Sequence, residues 1–327
     1  MVDVLLVSLG STSGLRRADD ELQDSLRRAG ASIAVARPFR PAEVPTLMLT
    51  DLTWAWATRR AAQERLRTPS ARAVIYSSVT AALLWPAPGA IRFDAPASGN
   101  RPGRHGLWQR PLERRRLRQA SLLLPWSEGG LAETGLDTEE ARARALILPV
   151  PVEPSGPAAR SRDIAAITYA ANPHKKGLDR VLEAWRQVRR PSEELLVAGA
   201  KLDLHEEGVR VIGPLPAAEY RGLVRRARAY ICAPRREDHG LAQLEALADG
   251  CMLVTTPSPG PYVALPIARS LDARLVADDL SPALRAALDE PAPGYAERAA
   301  RALAPFSRAT LDRLVAEELL PRLLAHG

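Results

Sequence analysis

Short apolar runs rich in β-branched residues alternate along the chain with segments in which leucine and alanine recur at helical spacing. In the first half, the apolar runs predict strands at 2–9, 32–37, 73–78, 91–95, 121–126 and 146–152. The helical patterns lie at 15–28, 54–66 and 107–119. Repeated strand–helix units of this kind indicate a parallel, doubly wound sheet.

A turn-rich, charged stretch at 153–163 interrupts this pattern and predicts a linker. The alternation then resumes, with strands predicted at 164–170, 194–199, 209–212, 229–233, 252–256 and 274–277. Helices are predicted at 178–189, 217–226, 241–248 and 307–324. We therefore predict an α/β protein with two Rossmann-like domains facing across a cleft, at 1–155 and 156–306. A C-terminal helix at 307–327 is expected to cross back to the first domain.

Length and composition fit this organisation. The chain has 327 residues, enough for two domains of ordinary size. No apolar stretch approaches the ~20 residues that span a bilayer, and the N-terminus resembles a first strand more than a signal peptide. Both cysteines, Cys232 and Cys251, fall in predicted core strands, which favours buried thiols over a disulfide or a metal site. These features predict a cytoplasmic protein.

One segment is strongly basic. Residues 92–118 carry eight arginines against two acidic residues, a local balance of +6. Either this is the solvated face of a helix, or residues 101–118 with Trp108 contact an anionic membrane or a phosphorylated acceptor. Nucleic acid is not an expected partner, because no nucleic-acid-binding motif accompanies the charge.

The stretch REDHGLAQLEALADG, residues 236–250, places two glutamates around a glycine just after an apolar run. In the predicted strand–loop–helix–strand unit, Glu237 lies in the loop at the carboxyl end of the strand, where ligands bind. Glu245 lies about a turn and a half into the helix. The helix N-terminus near Gly240 and Leu241 is suited to a phosphate. Two carboxylates beside an anion site are suited to a nucleotide sugar.

This stretch resembles the signature of the family-four retaining glycosyltransferases of the GT-B fold, in which seven residues separate two glutamates. The match is one ungapped block. Its matching positions are Glu237, Gly240, Leu241, Leu244, Glu245, Ala246, Ala248 and Gly250. The resemblance implies that Glu237 contacts the donor sugar and Glu245 the ribose.

Two further stretches are similar to that family. Residues 169–185, YAANPHKKGLDRVLEAW, resemble its first donor-domain strand and helix, in which a lysine before a glycine touches the nucleotide diphosphate. Lys176 has that position. Residues 8–15, SLGSTSGL, resemble its first glycine-containing loop, which implies donor-phosphate contacts from Gly10, Ser13 and Gly14. This loop lacks the GxGxxG fingerprint of dinucleotide-binding enzymes.

The chain departs from the family pattern at two places. The basic residue that many members carry five positions before the lysine is Ala171 here. The second positive charge comes from Arg235 or Arg236, or it is missing. The histidine–aspartate pair after an N-domain strand corresponds to Phe93 and Asp94, so only the aspartate is kept.

The resemblance implies retaining transfer of a hexosyl or related group from a nucleotide-diphosphate sugar to an acceptor hydroxyl. It implies catalytic roles for Lys176, Glu237 and Asp94. The donor-binding set is Gly10, Ser13, Gly14, Lys176, Arg235, Glu237, His239, Gly240, Leu241 and Glu245. The nucleotide sugar is a co-substrate and no cofactor is expected. No metal-ligand cluster is apparent, so we expect no strict metal requirement.

Alternatives remain for both the function and the acceptor. The acceptor is lipid-linked, a glycan or a soluble molecule, and the sequence does not distinguish these. The alternative function is a non-catalytic nucleotide-sugar-binding or partner protein with the same fold, a hypothesis that rests on the departures at Phe93 and Ala171. A nucleotide-sugar epimerase is less well supported, because that class lacks this combination of motifs.

Overall fold

The chain folds into two domains. A computed structural model describes residues 1–325 except 40, 42, 43, 45, 68–70, 137 and 160. The N-terminal domain comprises Met1–Pro151 together with Arg308–Gly327, and the C-terminal domain comprises Val152–Ser307. The predicted ranges are 1–155, 156–306 and 307–327, and each of them includes residues outside the described part. The terminal helical segment therefore belongs to the N-terminal domain.

The N-terminal domain is built on a parallel sheet of five strands in the order β2-β1-β3-β4-β5. The strands are β1 Val2–Val7, β2 Ile33–Ala36, β3 Ala71–Tyr76, β4 Ala90–Phe93 and β5 Leu123–Pro125. β1 is buried over its last four residues, as expected for a central strand covered on both faces. Because β1 lies between β2 and β3, the direction of winding reverses at the carboxyl ends of β1 and β3.

Helices cover both faces of this sheet. They are α1 Ser13–Arg28, α2 Leu47–Arg67, α3 Val79–Ala82, α4 Ala97–Asn100, α5 Gln109–Gln119, α6 Glu128–Ala132 and α7 Glu139–Ala143. The core has two layers. Leu5, Tyr76 and Phe93 pack on one side of the sheet, while Leu6 and Ile75 pack on the other with the C-terminal helical segment.

The C-terminal domain repeats the plan with the strand order β10-β9-β6-β7-β8, again all parallel. The strands are β6 Ile164–Tyr169, β7 Leu195–Ala198, β8 Val209–Gly213, β9 Ala227–Cys232 and β10 Met252–Thr255. The helices are α8 Leu178–Val188, α9 Ala217–Arg226, α10 Leu241–Ala248, α11 Ala264–Leu271, α12 Leu280–Asp289 and α13 Tyr295–Ala302. β6 and β9 are neighbours, and the chain winds away from them in opposite directions.

Two predicted strands are wrong. Residues 146–152 are extended beside β5, where Leu146 and Leu148 donate backbone hydrogen bonds to Leu123 and Pro125, but they form no strand. The reason is that Pro149 and Pro151 lack the N–H groups that a ladder needs. The predicted strand at 274–277 is instead a 3₁₀ turn, Ala273–Leu275, whose first residues are capped by the Asp272 side chain.

The helical predictions were incomplete. α2 begins at Leu47, earlier than the predicted 54, and α11, α12 and α13 were not predicted. The predicted terminal helix at 307–324 consists of α14 Arg308–Leu314, a π-helical turn Val315–Leu319 and α15 Leu320–Ala325. Leu311, Val315, Leu319 and Leu323 form its buried stripe against the N-terminal sheet.

Candidate functional site

Two loops meet at the reversal point of the C-terminal sheet. One follows β6 and reaches α8 through Lys176 and Gly177, and the other follows β9 and reaches α10 through Glu237 and Gly240. Because β6 and β9 are adjacent, their carboxyl ends bring the loops together, and Arg235 N–H donates to the Lys175 carbonyl at 3.0 Å. In open α/β sheets, ligands bind at such a point.

Lys176 and Glu237 form an ion pair there. The Lys176 Nζ lies 2.7 Å from Oε2 of Glu237, and both side chains are largely buried. Gln243, in the first turn of α10, donates from Nε2 to the same oxygen at 3.0 Å. The structure thus joins two residues that the sequence assigned to catalysis, and it adds Gln243, which the sequence analysis did not select. A second polar residue beside Glu245 in the helix LAQLEALA would have been the indication.

The loop carrying Glu237 is fixed from behind by the segment after β10. Glu237 N–H donates to the Pro259 carbonyl at 3.0 Å, and Val263 N–H donates to the His239 carbonyl at 3.1 Å. Gly260 approaches so closely that an added Cβ would stand 2.3 Å from the Glu237 carbonyl oxygen. Since this packing leaves no room for a side chain at Gly260, the Glu237 loop has a defined backbone position.

Both helices that begin at this site start with a left-handed glycine. Gly177 (φ 65°) precedes α8 and Gly240 (φ 87°) precedes α10, and neither helix has a side-chain cap. The Leu178 N–H of α8 donates to the Pro173 carbonyl, but the positive end of each helix dipole still lies at the site. Lys176 adds a full charge beside them, so this edge of the sheet is suited to a diphosphate.

Glu245 is buried in α10 and is paired with an arginine. Arg221 NH1 lies 3.5 Å from Oε1 of Glu245, and Arg221 Nε lies 2.5 Å from Oδ2 of Asp249. Asp249 also accepts hydrogen bonds from the backbone and the hydroxyl of Ser155. Arg221 is 4% exposed, so its charge needs these two carboxylates. The sequence analysis did not identify Arg221, because its partners come from another helix.

The other predicted donor-binding residues of this domain have defined partners. Arg235 makes a two-pronged pair with Asp179, and Arg236 lies 2.7 Å from Asp238. Lys175 Nζ is 3.5 Å from Asp238. His239 is buried immediately before Gly240. Both arginines proposed to supply the second positive charge are thus neutralised by carboxylates.

In the N-terminal domain, the loop after β1 carries Gly10, with φ 62°. Thr12 caps α1 by accepting from Leu15 N–H, so Ser13 and Gly14 lie in the first helical turn and not in the loop. Asp94 directly follows β4, and its Oδ1 accepts the Ala95 N–H at 2.8 Å. Both Gly10 and Asp94 lie at the carboxyl edge of this sheet.

A buried polar cluster supports the loop after β1. The carboxylate of Asp19 accepts hydroxyl hydrogen bonds from Ser8 at 2.5 Å and Ser77 at 3.0 Å, and Ser77 Oγ accepts the Leu9 N–H. Arg92 NH1 lies 3.9 Å from Asp19, and burial lowers the pKa of Arg92 to about 10. Burial also raises the pKa of Asp19. The sequence analysis identified none of these supporting residues.

Among the residues that the structure describes, no group of three or more His, Cys, Asp or Glu side chains could hold a metal ion. The described helices include none with the length and apolarity needed to cross a membrane. Cys232 and Cys251 are buried free thiols, as predicted.

The sequence around the site matches a known protein family. Residues 163–290, which contain Lys176, Glu237 and Glu245, match the family model described as glycosyl transferases group 1. No curated protein sequence matches the chain. The match covers the part of the C-terminal domain that contains the site, and it agrees there with the family resemblance of residues 236–250.

Solved structures match the fold over nearly the whole chain. WaaG, a glycosyltransferase involved in lipopolysaccharide biosynthesis, has a TM-score of 0.71 and 15% identity, with 96% of this chain and 98% of that chain covered. Sucrose-phosphate synthase from Thermosynechococcus elongatus has a TM-score of 0.71 and 14% identity, with both chains fully covered. AviGT4, involved in avilamycin A biosynthesis, has a TM-score of 0.61 and 17% identity, with 100% and 99% covered. These similarities confirm the predicted fold class of two Rossmann-like domains of GT-B type.

Proposed function

We propose that this protein is a retaining glycosyltransferase that moves a hexosyl or related group from a nucleotide-diphosphate sugar to an acceptor hydroxyl. The observation that carries the proposal is the Lys176–Glu237 pair at 2.7 Å, placed where α8 and α10 begin. It combines a cation and two helix N-termini for a diphosphate with a carboxylate for sugar hydroxyls. The pair lies within the residues that match glycosyl transferases group 1.

Each residue has a role in this proposal. The leaving group is a nucleoside diphosphate, so stabilising its developing charge is the largest catalytic contribution. Lys176 and the amides at Gly240 and Leu241 supply it. Glu237 accepts hydrogen bonds from the donor sugar, and Glu245 holds the ribose.

From the N-terminal domain we assign Gly10, Ser13 and Gly14 to the donor phosphate and Asp94 to orienting the reacting sugar or the acceptor. Arg235 and His239 flank the donor loop. Because lysine and helix dipoles supply the positive charge, no strict metal requirement is proposed.

A panel of nucleotide sugars tests the proposal. Donors that bind should raise the melting temperature. With an acceptor mixture or with water, the same donors should release nucleoside diphosphate, and the anomeric configuration of the product, read by NMR, should match that of the donor. Glu237→Gln should abolish release while the protein stays folded. Inversion of the anomeric centre would contradict the retaining mechanism.

A non-catalytic nucleotide-sugar-binding protein is the second candidate. It is favoured by Ala171, which lacks the expected basic side chain, and by the carboxylate partners of Arg235 and Arg236. Binding of a nucleotide sugar without release of nucleoside diphosphate, across all donors and acceptors tested, would support this candidate over the transferase.

We propose a cytoplasmic enzyme whose acceptor is a lipid-linked glycan. WaaG, which acts in lipopolysaccharide biosynthesis, supports this choice. AviGT4, which acts in avilamycin A biosynthesis, supports a small soluble acceptor as the competing class. Transfer from one donor to each acceptor class, measured side by side, separates the two.

A lipid-linked acceptor is consistent with contact with an anionic membrane through residues 101–118. Arg104, Arg114, Arg115 and Arg118 are exposed there. Trp108 is half-buried and packs against the core, so only part of its side chain is available for such contact. Leu107 is exposed beside it. Arg101 pairs with Asp51 of α2, a helix whose Leu49, Leu52 and Trp56 are also exposed.

Exposed apolar side chains beside arginines are typical of a surface that binds anionic lipids. The protein should sediment with vesicles of anionic phospholipid, and release by salt should follow the loss of charge attraction. Trp56→Ala and Arg114→Glu with Arg115→Glu should each weaken sedimentation, while Arg186→Glu in α8 of the C-terminal domain should not. Equal sedimentation with neutral vesicles would contradict this proposal.

A further inference from the structure

Glu237 has two hydrogen-bond donors that meet on a single oxygen. Lys176 Nζ and Gln243 Nε2 lie 2.7 Å and 3.0 Å from Oε2. Neither of these contacts involves Oε1. The two donors differ in kind: lysine is charged and is assigned to the diphosphate, whereas the glutamine amide is neutral.

Gln243 is built into the domain core. It is 1% exposed, and its amide nitrogen also lies 3.7 Å from the Cys232 sulfur. That sulfur in turn lies 3.2 Å from Thr255 Oγ1 and 3.6 Å from the Tyr262 hydroxyl. Thr255 Oγ1 and the Tyr262 hydroxyl oxygen are 2.8 Å apart. The Gln243 amide therefore contacts a buried group of polar side chains from β9, β10 and the segment after β10.

We propose that Gln243 is a positioning residue that keeps the Glu237 carboxylate in place when Lys176 turns from Glu237 to the diphosphate of the donor. This inference rests on the proposed function. Without Gln243, binding of the diphosphate would remove the carboxylate's main partner and allow the side chain to rotate. With it, Oε2 stays fixed and Oε1 faces a sugar hydroxyl.

Removing the amide tests the proposal. Gln243→Met has a similar volume and no donor. Its kcat should fall about 10- to 100-fold, the size of effect expected when a reacting group is displaced. Its Kd for the nucleoside diphosphate alone should stay within about threefold of wild type, because Lys176 and the helix N-termini bind it. Unchanged kcat, or parallel loss of kcat and nucleoside diphosphate binding, would overturn the proposal.

A second variant gives a pH-dependent readout. Gln243→Glu places a second carboxyl group against Glu237, and two such groups at hydrogen-bond distance share one proton. At low pH the shared proton restores the hydrogen bond, and at high pH the two charges repel. The variant should therefore approach wild-type kcat near pH 5 and lose it as pH rises to 8.

The other titratable groups at the site must be separated from the pH dependence of kcat predicted for Gln243→Glu. The titratable groups facing the site are Lys176, His239, Cys232, Tyr230 and Tyr262, and burial raises the pKa values of the thiol and both phenols. Because wild type and variant share all of these groups, the kcat of the variant is divided by that of wild type at each pH. Arg236 and Asp238, on the Glu237 loop, pair with each other.

A matched control exists in α8. Gln187 Nε2 donates to Oε1 of Glu183 at 3.0 Å, the same type of contact, but both side chains are exposed. Gln187→Glu should leave kcat and its pH profile unchanged. The melting temperature of Gln243→Glu, relative to Gln187→Glu, should fall as pH rises. If the difference in melting temperature between the two variants does not change with pH, the proposed hydrogen bond between Gln243 and Glu237 is contradicted.

The comparison of melting temperatures does not require enzymatic turnover. A wild-type protein that releases no nucleoside diphosphate would therefore reject the proposed transferase and leave the Gln243–Glu237 contact to be judged by melting alone.

Discussion

Gly177 lies directly against the carbonyl group of Ala233. A Cβ added at Gly177 would stand 1.8 Å from the Ala233 oxygen, far inside van der Waals contact. Ala233 directly follows β9, and Gly177 begins α8, so this approach presses the two site loops together. The close packing is what allows Lys176 to reach Glu237.

Gly177→Ala should therefore disrupt the site. The left-handed conformation alone costs about 1–2 kcal/mol for a non-glycine residue. Gly213→Ala is the matched control in the same domain, because Gly213 has φ 69° and no atom lies near its missing Cβ. Overpacking should make Gly177→Ala worse by a further ~2 kcal/mol. Urea unfolding of both variants checks this, and equal destabilisation would contradict it.

Lys176 and Lys175 are neighbours with different surroundings, which makes them a matched pair. Lys176→Ala removes the charge beside the helix N-termini and should lower kcat about 10²- to 10³-fold, as for other residues that stabilise a leaving anion. Lys175 is half-exposed and pairs with Asp238 at 3.5 Å. Lys175→Ala should change kcat less than about threefold, by the small worth of an exposed pair. Nucleoside diphosphate release measures both, and similar losses would argue against a specific role for Lys176.

Glu245→Ala should weaken nucleotide binding, because it removes the carboxylate assigned to the ribose. A loss of roughly 10- to 100-fold is expected for a charged hydrogen-bonding partner. Asp249→Asn serves as the control, since Asp249 also holds Arg221 but has no assigned ligand contact. It should lower the melting temperature and leave the Kd nearly unchanged. Calorimetry with the nucleoside diphosphate distinguishes them, and unchanged affinity in Glu245→Ala would remove the assignment.

Glu113 predicts a pH dependence of stability in the N-terminal domain. Both its oxygens accept the Ala97 N–H, and burial raises its pKa from 4.5 to about 7. The folded protein therefore binds the proton more tightly than the unfolded chain does. This contribution is fully present below pH 4.5 and is lost as pH rises to 7.

The loss amounts to about 3 kcal/mol at most. Glu113→Gln is neutral at every pH, so the free energy of unfolding of wild type minus that of the variant should decrease between pH 4.5 and 7. Glu64→Gln, at an exposed position, should show no such trend. A flat difference for Glu113→Gln would show that the pKa of Glu113 is the same in the folded and the unfolded protein, and would contradict the prediction.

The local pattern of the chain was enough to place most of the elements. α9 and α10 have the predicted bounds, and ten of the twelve predicted strands form. The failures have local causes that a pattern of apolar residues does not register. Pro149 and Pro151 prevent a strand at 146–152, and the Asp272 side chain caps a 3₁₀ turn, Ala273–Leu275, where the strand at 274–277 was predicted to begin.

By itself the sequence determined the two doubly wound domains and the positions of Lys176, Glu237 and Glu245, because strand–loop–helix units place loop residues at the carboxyl edge of a sheet wherever they occur. Only the tertiary structure decided that β6 and β9 are neighbours, and hence that Lys176 contacts Glu237. It alone also revealed Gln243 and Arg221 as the partners of the two glutamates. These contacts depend on segments that are far apart in the chain, and their distances are set by the packing of whole elements.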